Sequence, residues 1–174
     1  MWRMLFVCVA LPVVGLSLSA SEPSKEVAKK AAKEVADASV AGDSEKVVDN
    51  MWPATVKEAG GRKAAIEGIE LVMKTLKEKG FTIKKAEVQE PGDFVTDGDY
   101  MFVVVPTVTE MSIPGGTAIM KSYLLGLSSD GGKSWKFIDG SYLHVKEERD
   151  KLRPKLPAKM KLPEASKPEI VKDK

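Results

Sequence analysis

The chain has 174 residues and nearly balanced charge, with 27 basic and 25 acidic side chains. This balance argues against a nucleic-acid-binding protein, and the length suits one domain with a single core. The only cysteine and the only histidine are Cys8 and His144. They exclude a disulfide framework and a cysteine–histidine zinc site, and no serine–histidine–acid set is readable around His144, so we expect no metal and no cofactor.

The first 21 residues have the three parts of a cleavable secretory signal peptide. Arg3 supplies the positive charge, an apolar run follows from Met4 to Leu18, and small residues surround Ala20. An uncleaved anchor is the alternative, but about 15 apolar residues are fewer than the ~20 of a spanning helix. We therefore expect a secreted or periplasmic protein that meets the membrane only transiently, through this segment, and loses Cys8 on cleavage.

Helices are predicted for the first half of the remaining chain. Ser24 is a suitable N-cap for a helix with an alanine-rich face, which Gly42 ends. Asp43 caps a second helix that breaks near Pro53. A third helix, from about Arg62 to Lys79, has an apolar stripe and is predicted to be the main core helix, although its isoleucines and methionines could also line a ligand pocket.

After Gly80 the apolar period changes to that of strands. The longest strand is predicted from about Tyr100 to Ile113, and turns at Asp97-Gly98 and at Pro114-Gly115-Gly116 flank it. Further strands are expected at 117–127 and 134–145. Helices followed by sequential antiparallel strands predict an α+β domain over residues 22–145, in which a curved sheet and the helices enclose a cone-like hollow.

One local motif, in the predicted turn after residue 127, has a specific pattern. The run from Ser128 to Trp135 fits the Asp-box pattern, in which Asp130 accepts turn amides, Gly132 takes a backbone shape that a side chain would forbid, and the tryptophan packs beneath. Asp-boxes occur in sialidases, where they repeat away from the catalytic site. A single copy predicts a structural hairpin.

The order of elements resembles small secreted bacterial members of the nuclear transport factor 2-like (SnoaL-like, cystatin-like) superfamily. The residues that carry the resemblance are Met51-Trp52-Pro53, Val56-Lys57-Glu58, Gly60-Gly61 and the run from Trp135 to Gly140, and it covers about residues 25–145. It implies the cone-shaped α+β fold. It implies no single activity, because the superfamily includes isomerases, cyclases, dehydratases and proteins that only bind.

Residues 146–174 form a basic tail rich in proline and lysine. Few of its side chains are large and apolar, so we expect it to be disordered. The repeated Lys155-Leu156-Pro157 and Lys161-Leu162-Pro163 could contact an acidic surface or a partner, and a solvated spacer is the alternative.

Two functions remain open from the sequence. The first is an exported, non-enzymatic domain that binds an unknown small molecule or protein, with a homodimer left open. The second is an isomerase, cyclase or lyase with Asp139 or Glu110 as base and Tyr123 or Tyr142 as hydrogen-bond donor. The pocket candidates are Trp52, Glu110, Tyr123, Asp139 and Tyr142, with Lys121 and His144 as further polar residues that could point inward.

Overall fold

The computed structural model describes residues 23–172, and the predicted signal peptide lies outside them. The helices are α1 (Lys25–Ala41), α2 (Ser44–Asp49), α3 (Pro53–Glu58), α4 (Arg62–Glu78), α5 (Gly140–Leu143) and α6 (Lys146–Lys151). The strands are β1 (Thr82–Val88), β2 (Val95–Asp97), β3 (Tyr100–Ile113), β4 (Gly116–Ser128), β5 (Lys136–Asp139) and β6 (Glu169–Lys172). The predicted α+β fold, with helices followed by a curved antiparallel sheet, is confirmed.

The sheet is built around the long hairpin of β3 and β4. The strand order is β1-β3-β4-β5, while β2 pairs with the start of β3 and β6 with the start of β4. Tight turns flank β3: Gly98, between β2 and β3, and Gly115, between β3 and β4, have φ of 57° and 81°, which glycine adopts without a steric penalty. The order places β1 and β5 on opposite sides of the central hairpin.

Helix α1 packs directly on the sheet as the main core helix, because alanines form its buried face. The Ser24 hydroxyl accepts a hydrogen bond from the Glu26 amide at 3.2 Å, and Gly42 ends the helix at φ 71°. Ala28 and Ala32 are fully buried, and the absence of bulk there lets the helix approach the sheet closely. The expectation that the third helix is the main core helix is wrong.

That third helix, α4, packs at the edge of the core. Only Ala65 is buried along it, whereas Leu71 and Val72 are 65% and 58% exposed. Its neighbours are mainly α2 and α3 rather than the sheet. The apolar stripe that periodicity assigned to the core therefore covers the helix-side cavity described below, and part of it faces solvent.

Both faces of the β3–β4 hairpin are buried, by different parts of the chain. Alternate residues such as Val103, Val105 and Leu124 pack under α1. The intervening residues, Phe102 and Leu125 among them, form a second apolar cluster on the opposite face. A sheet that is apolar on both faces needs a cover on each.

The C-terminal segment is the cover of the second face, so the expectation of a disordered tail is wrong. Leu152 is 8% exposed within the second cluster, and Leu156, Met160 and Leu162 pack against it. The Trp52 indole Nε1 donates a hydrogen bond to the Arg153 carbonyl at 2.7 Å. Apolar side chains that are scattered along an extended segment can bury area where the surface beneath them is complementary.

The tail then returns along β4. Strand β6 pairs antiparallel with Gly116–Ile119, and the Ser166 hydroxyl donates to the Lys121 carbonyl at 2.8 Å. Strand β6 approaches β4 so closely that a Cβ at Gly116 would lie 2.2 Å from the Val171 carbonyl oxygen. This contact explains the glycine at the start of β4.

The Asp-box residues form the turn between β4 and β5. The Asp130 carboxylate accepts hydrogen bonds from the amides of Lys133 and Ser134, each at 3.0 Å, and from the Ser134 hydroxyl at 2.6 Å. The Ser128 hydroxyl accepts the Gly132 amide, and the Trp135 ring is buried beneath the turn. This network holds the pKa of Asp130 at about 2, chiefly through the Ser134 hydroxyl.

Along residues 23–172, none of the helices combines the length and the apolar character needed to cross a membrane.

Candidate ligand-binding site

A cavity of about 430 Å³ lies between the helices and the sheet face that α1 covers. Residues from α1, α2, α3 and α4 form its roof, and β1, β3, β4 and β5 form its floor. Its volume is within the range of roughly 300 to 1,000 Å³ that is usual for small-molecule pockets. The hollow expected from the element order is therefore present as an open space.

Four methionines line this main cavity. Met51 lies after α2, Met73 is on α4, and Met111 and Met120 are on the central hairpin. Methionine is unbranched and has a polarizable sulfur, so such walls can adapt to ligands of differing shape. The surface suits an apolar ligand.

The floor carries a small group of hydroxyls. Thr107 is directly opposite Ser122 in the sheet register, and Thr109 is two residues further along the same face of β3. These three side chains can donate or accept hydrogen bonds within the cavity. They offer a polar anchor at the sheet side of a mostly apolar surface.

Two of the predicted pocket residues, Asp139 and Tyr142, line the cavity at its β5 end. The Asp139 carboxylate caps α5 by accepting a hydrogen bond from the Ser141 amide at 2.7 Å, and its side chain is exposed. Tyr142 is 61% exposed. Both side chains are therefore at the rim, and that carboxylate already has a structural role.

Glu110, Lys121 and Tyr123 lie on the opposite face of the sheet, so the expectation that they point into the hollow is wrong. Side chains alternate along a strand, and these three share the parity of Phe102 and Leu125 rather than that of Thr107. The carboxylate–tyrosine pairs that include Glu110 or Tyr123 are consequently not assembled at the cavity.

Tyr123 is a core residue of the second face. It is 1% exposed, and its hydroxyl has no hydrogen-bond partner among the described residues. Burial raises the pKa of this phenol to about 12. Its ring fits beneath Gly140, where a Cβ would approach it to 2.7 Å, and it meets the exposed His144 ring edge-on, with centroids 5.9 Å apart.

Trp52 also lies away from the main cavity, contrary to the expectation. The Trp52 amide donates to the Phe137 carbonyl, and the Phe137 amide donates to the Asn50 carbonyl, both at 2.9 Å. The chain between α2 and α3 thus runs beside β5 like a short extra strand. Alternation there directs Met51 toward the cavity and Trp52 into the second cluster, where its ring meets that of Tyr100 at 79°.

A second cavity of about 370 Å³ adjoins the first at the β1 side. Gly42, Met73, Ile83 and Met111 contribute to both cavities. The second cavity also has two lysines, Lys74 and Lys77, in its lining, whereas no acidic side chain of the described residues lines it.

No group of three or more histidine, cysteine or acidic side chains within residues 23–172 is arranged to hold a metal ion.

Comparison with known proteins adds no relative: no protein-family model matches the sequence, and no curated protein matches it significantly. The resemblance to the nuclear transport factor 2-like superfamily thus remains a prediction.

The cavity residues that sequence reasoning missed are the hydroxyls and the methionines of the hairpin. A signal for them was present, because Thr107, Thr109 and Met111 alternate along one face of β3. That pattern did not say which face the helices cover.

Proposed function

We propose that the protein is an exported, non-enzymatic domain that binds an apolar small molecule in the main cavity. The observation that carries this proposal is the cavity itself: it is open, has a volume of about 430 Å³, and is lined mostly by apolar side chains, with the hydroxyls of Thr107, Thr109 and Ser122 on its floor. Burial of apolar ligand surface would provide the affinity, at roughly 25 cal/mol per Å², and the hydroxyls would orient one polar group.

The position of the rim groups supports binding more than catalysis. Proton transfer needs an acid or base within hydrogen-bond reach of the reacting atom. Of the proposed catalytic groups, Asp139 and Tyr142 line the cavity, and both are at its exposed end. The hydroxyls at the centre of the floor are suited to holding a ligand.

The test is a pair of phenylalanine substitutions on β1. Ala86→Phe fills the main cavity, since Ala86 lines it opposite Thr109, whereas Lys84→Phe places the same ring on an exposed position of the same strand. The probe is N-phenylnaphthylamine, a neutral apolar fluorophore, titrated into each purified protein.

We expect saturable, one-to-one binding by the wild type and by Lys84→Phe, and its loss in Ala86→Phe. Thermal unfolding of both variants shows whether each is folded. If the fluorophore fails to bind the wild type, or binds a folded Ala86→Phe equally well, the proposal is wrong.

A further inference from the structure

We propose that the ligand is a single-chain amphiphile with an anionic head group, which binds across both cavities. This inference rests on the proposed function and gives its ligand class. The alkyl chain would occupy the main cavity, and the head group would lie beside Lys74 and Lys77 in the second.

The two cavities are separated by side chains that can move. Met73 from α4 and Met111 from β3 line both spaces. Their unbranched side chains change rotamer at low cost, so an alkyl chain would pass from one cavity to the other by displacing these two side chains. Gly42 and Ile83 also line both cavities, so the two spaces are adjacent.

Helix α4 can accommodate an alkyl chain because its side chains are only loosely packed against the rest of the domain. Its stripe residues Ile66, Ile69 and Met73 are only half-buried, and Ala65 alone is buried. Side chains that are not locked by close packing on every side can rearrange around a ligand.

Charge is distributed unequally between the two ends. Lys77 has no ion-pair partner among the described residues, and Lys74 has only a long contact of 4.0 Å with Glu78. At the other end the single acidic lining residue is Asp139, on β5. An anionic group is therefore attracted to the β1 side and repelled from the β5 side.

The distance between the ends suits a chain rather than a compact molecule. Ile83 is on β1 and Asp139 is on β5, three positions apart in the strand order. Neighbouring strands are about 4.8 Å apart, so the two ends are separated by roughly 14 Å across the sheet. The residues of β4 in their rows, Ala118 and Leu124, are six residues apart, which adds about 20 Å along the strands.

The experiment measures displacement of N-phenylnaphthylamine from the purified protein by dodecanoate, dodecanol and dodecylammonium, which share one chain and differ in head-group charge. We expect dodecanoate to bind most tightly and dodecylammonium least. The double substitution Lys74→Gln/Lys77→Gln should weaken dodecanoate by about three- to tenfold, since each exposed charge contact contributes modestly, and should leave dodecanol unchanged.

The matched control is Lys57→Gln/Lys63→Gln, which removes two exposed lysines of α3 and α4 that line neither cavity. It should leave dodecanoate binding unchanged at low salt. Raising the salt concentration should reduce the preference for dodecanoate over dodecanol, because exposed charges are screened.

Equal binding of dodecanoate and dodecanol would place the head group at the floor hydroxyls and overturn this inference. So would an equal loss of dodecanoate binding in both double variants. Either result leaves the proposed function intact as long as Ala86→Phe still abolishes fluorophore binding, so the two failures are distinguishable.

Discussion

Leu152→Ala tests whether the C-terminal segment is part of the folded domain. The side chain is 8% exposed and belongs to the apolar cluster on the second face of the sheet. Truncating a buried leucine to alanine removes its transfer free energy and leaves a cavity, at a cost of about 2 to 5 kcal/mol. Leu152 retains 8% exposure, so we expect a cost of about 2 to 4 kcal/mol, below the top of that range.

The matched control is Leu71→Ala, the same substitution on α4 at a position that is 65% exposed. Surface substitutions of this kind usually change stability by no more than about 0.5 kcal/mol. The two variants therefore remove the same atoms and differ only in how deeply the leucine is buried.

The assay is thermal unfolding of the purified proteins followed by circular dichroism. For a domain of this size about 1 kcal/mol shifts Tm by about 2 to 4 °C, so Leu152→Ala should lower Tm by roughly 5 to 15 °C and Leu71→Ala by a degree or two. Deletion of residues 152–174 should lower Tm further. It removes the whole cover, the strand pairing of β6 and the hydrogen bond from Trp52 to Arg153.

The refuting result is a Tm of the deletion variant equal to that of the intact protein, or equal shifts for Leu152→Ala and Leu71→Ala. Either would show that residues 152–172 are a tether in solution and that the second face is stable without them.

Three other substitutions test the core and the turn. Tyr123→Phe should leave the free energy of unfolding unchanged or slightly raised, because the buried hydroxyl has no partner among the described residues; a loss above about 2 kcal/mol in urea unfolding would contradict this. Gly126→Ala should cost about 1 to 3 kcal/mol, since a Cβ there would lie 2.8 Å from Val103 and 3.0 Å from Phe137, and an unchanged urea midpoint would refute it. Asp130→Ala should cost about 1 to 2 kcal/mol at neutral pH. The folded pKa of Asp130 is about 2, below its ordinary 3.8, so its contribution is complete above about pH 4 and is lost as pH falls toward 2; a stability difference independent of pH would refute this.

Local chemistry determined much of the secondary structure. Ser24 and Gly42 mark the ends of α1 because a hydroxyl can cap the first amides and glycine can take the left-handed conformation that ends a helix. The turns at Gly98 and Gly115 and the Asp-box turn follow from the same kind of local rule, since each depends on a few adjacent residues. Alternation along β3 also separated its two faces correctly.

Tertiary structure decided which face became the floor of the cavity. Both faces of β3 are apolar, and periodicity alone has no means to distinguish the face under α1 from the face under the tail. That choice sends Thr107 and Ser122 into the cavity and buries Tyr123 on the other side. It also decided whether the tail is ordered, because Leu152 and Leu156 have no helical or strand period that predicts burial. Leu152 is buried and Leu156 partly buried where a complementary apolar surface lies beneath them.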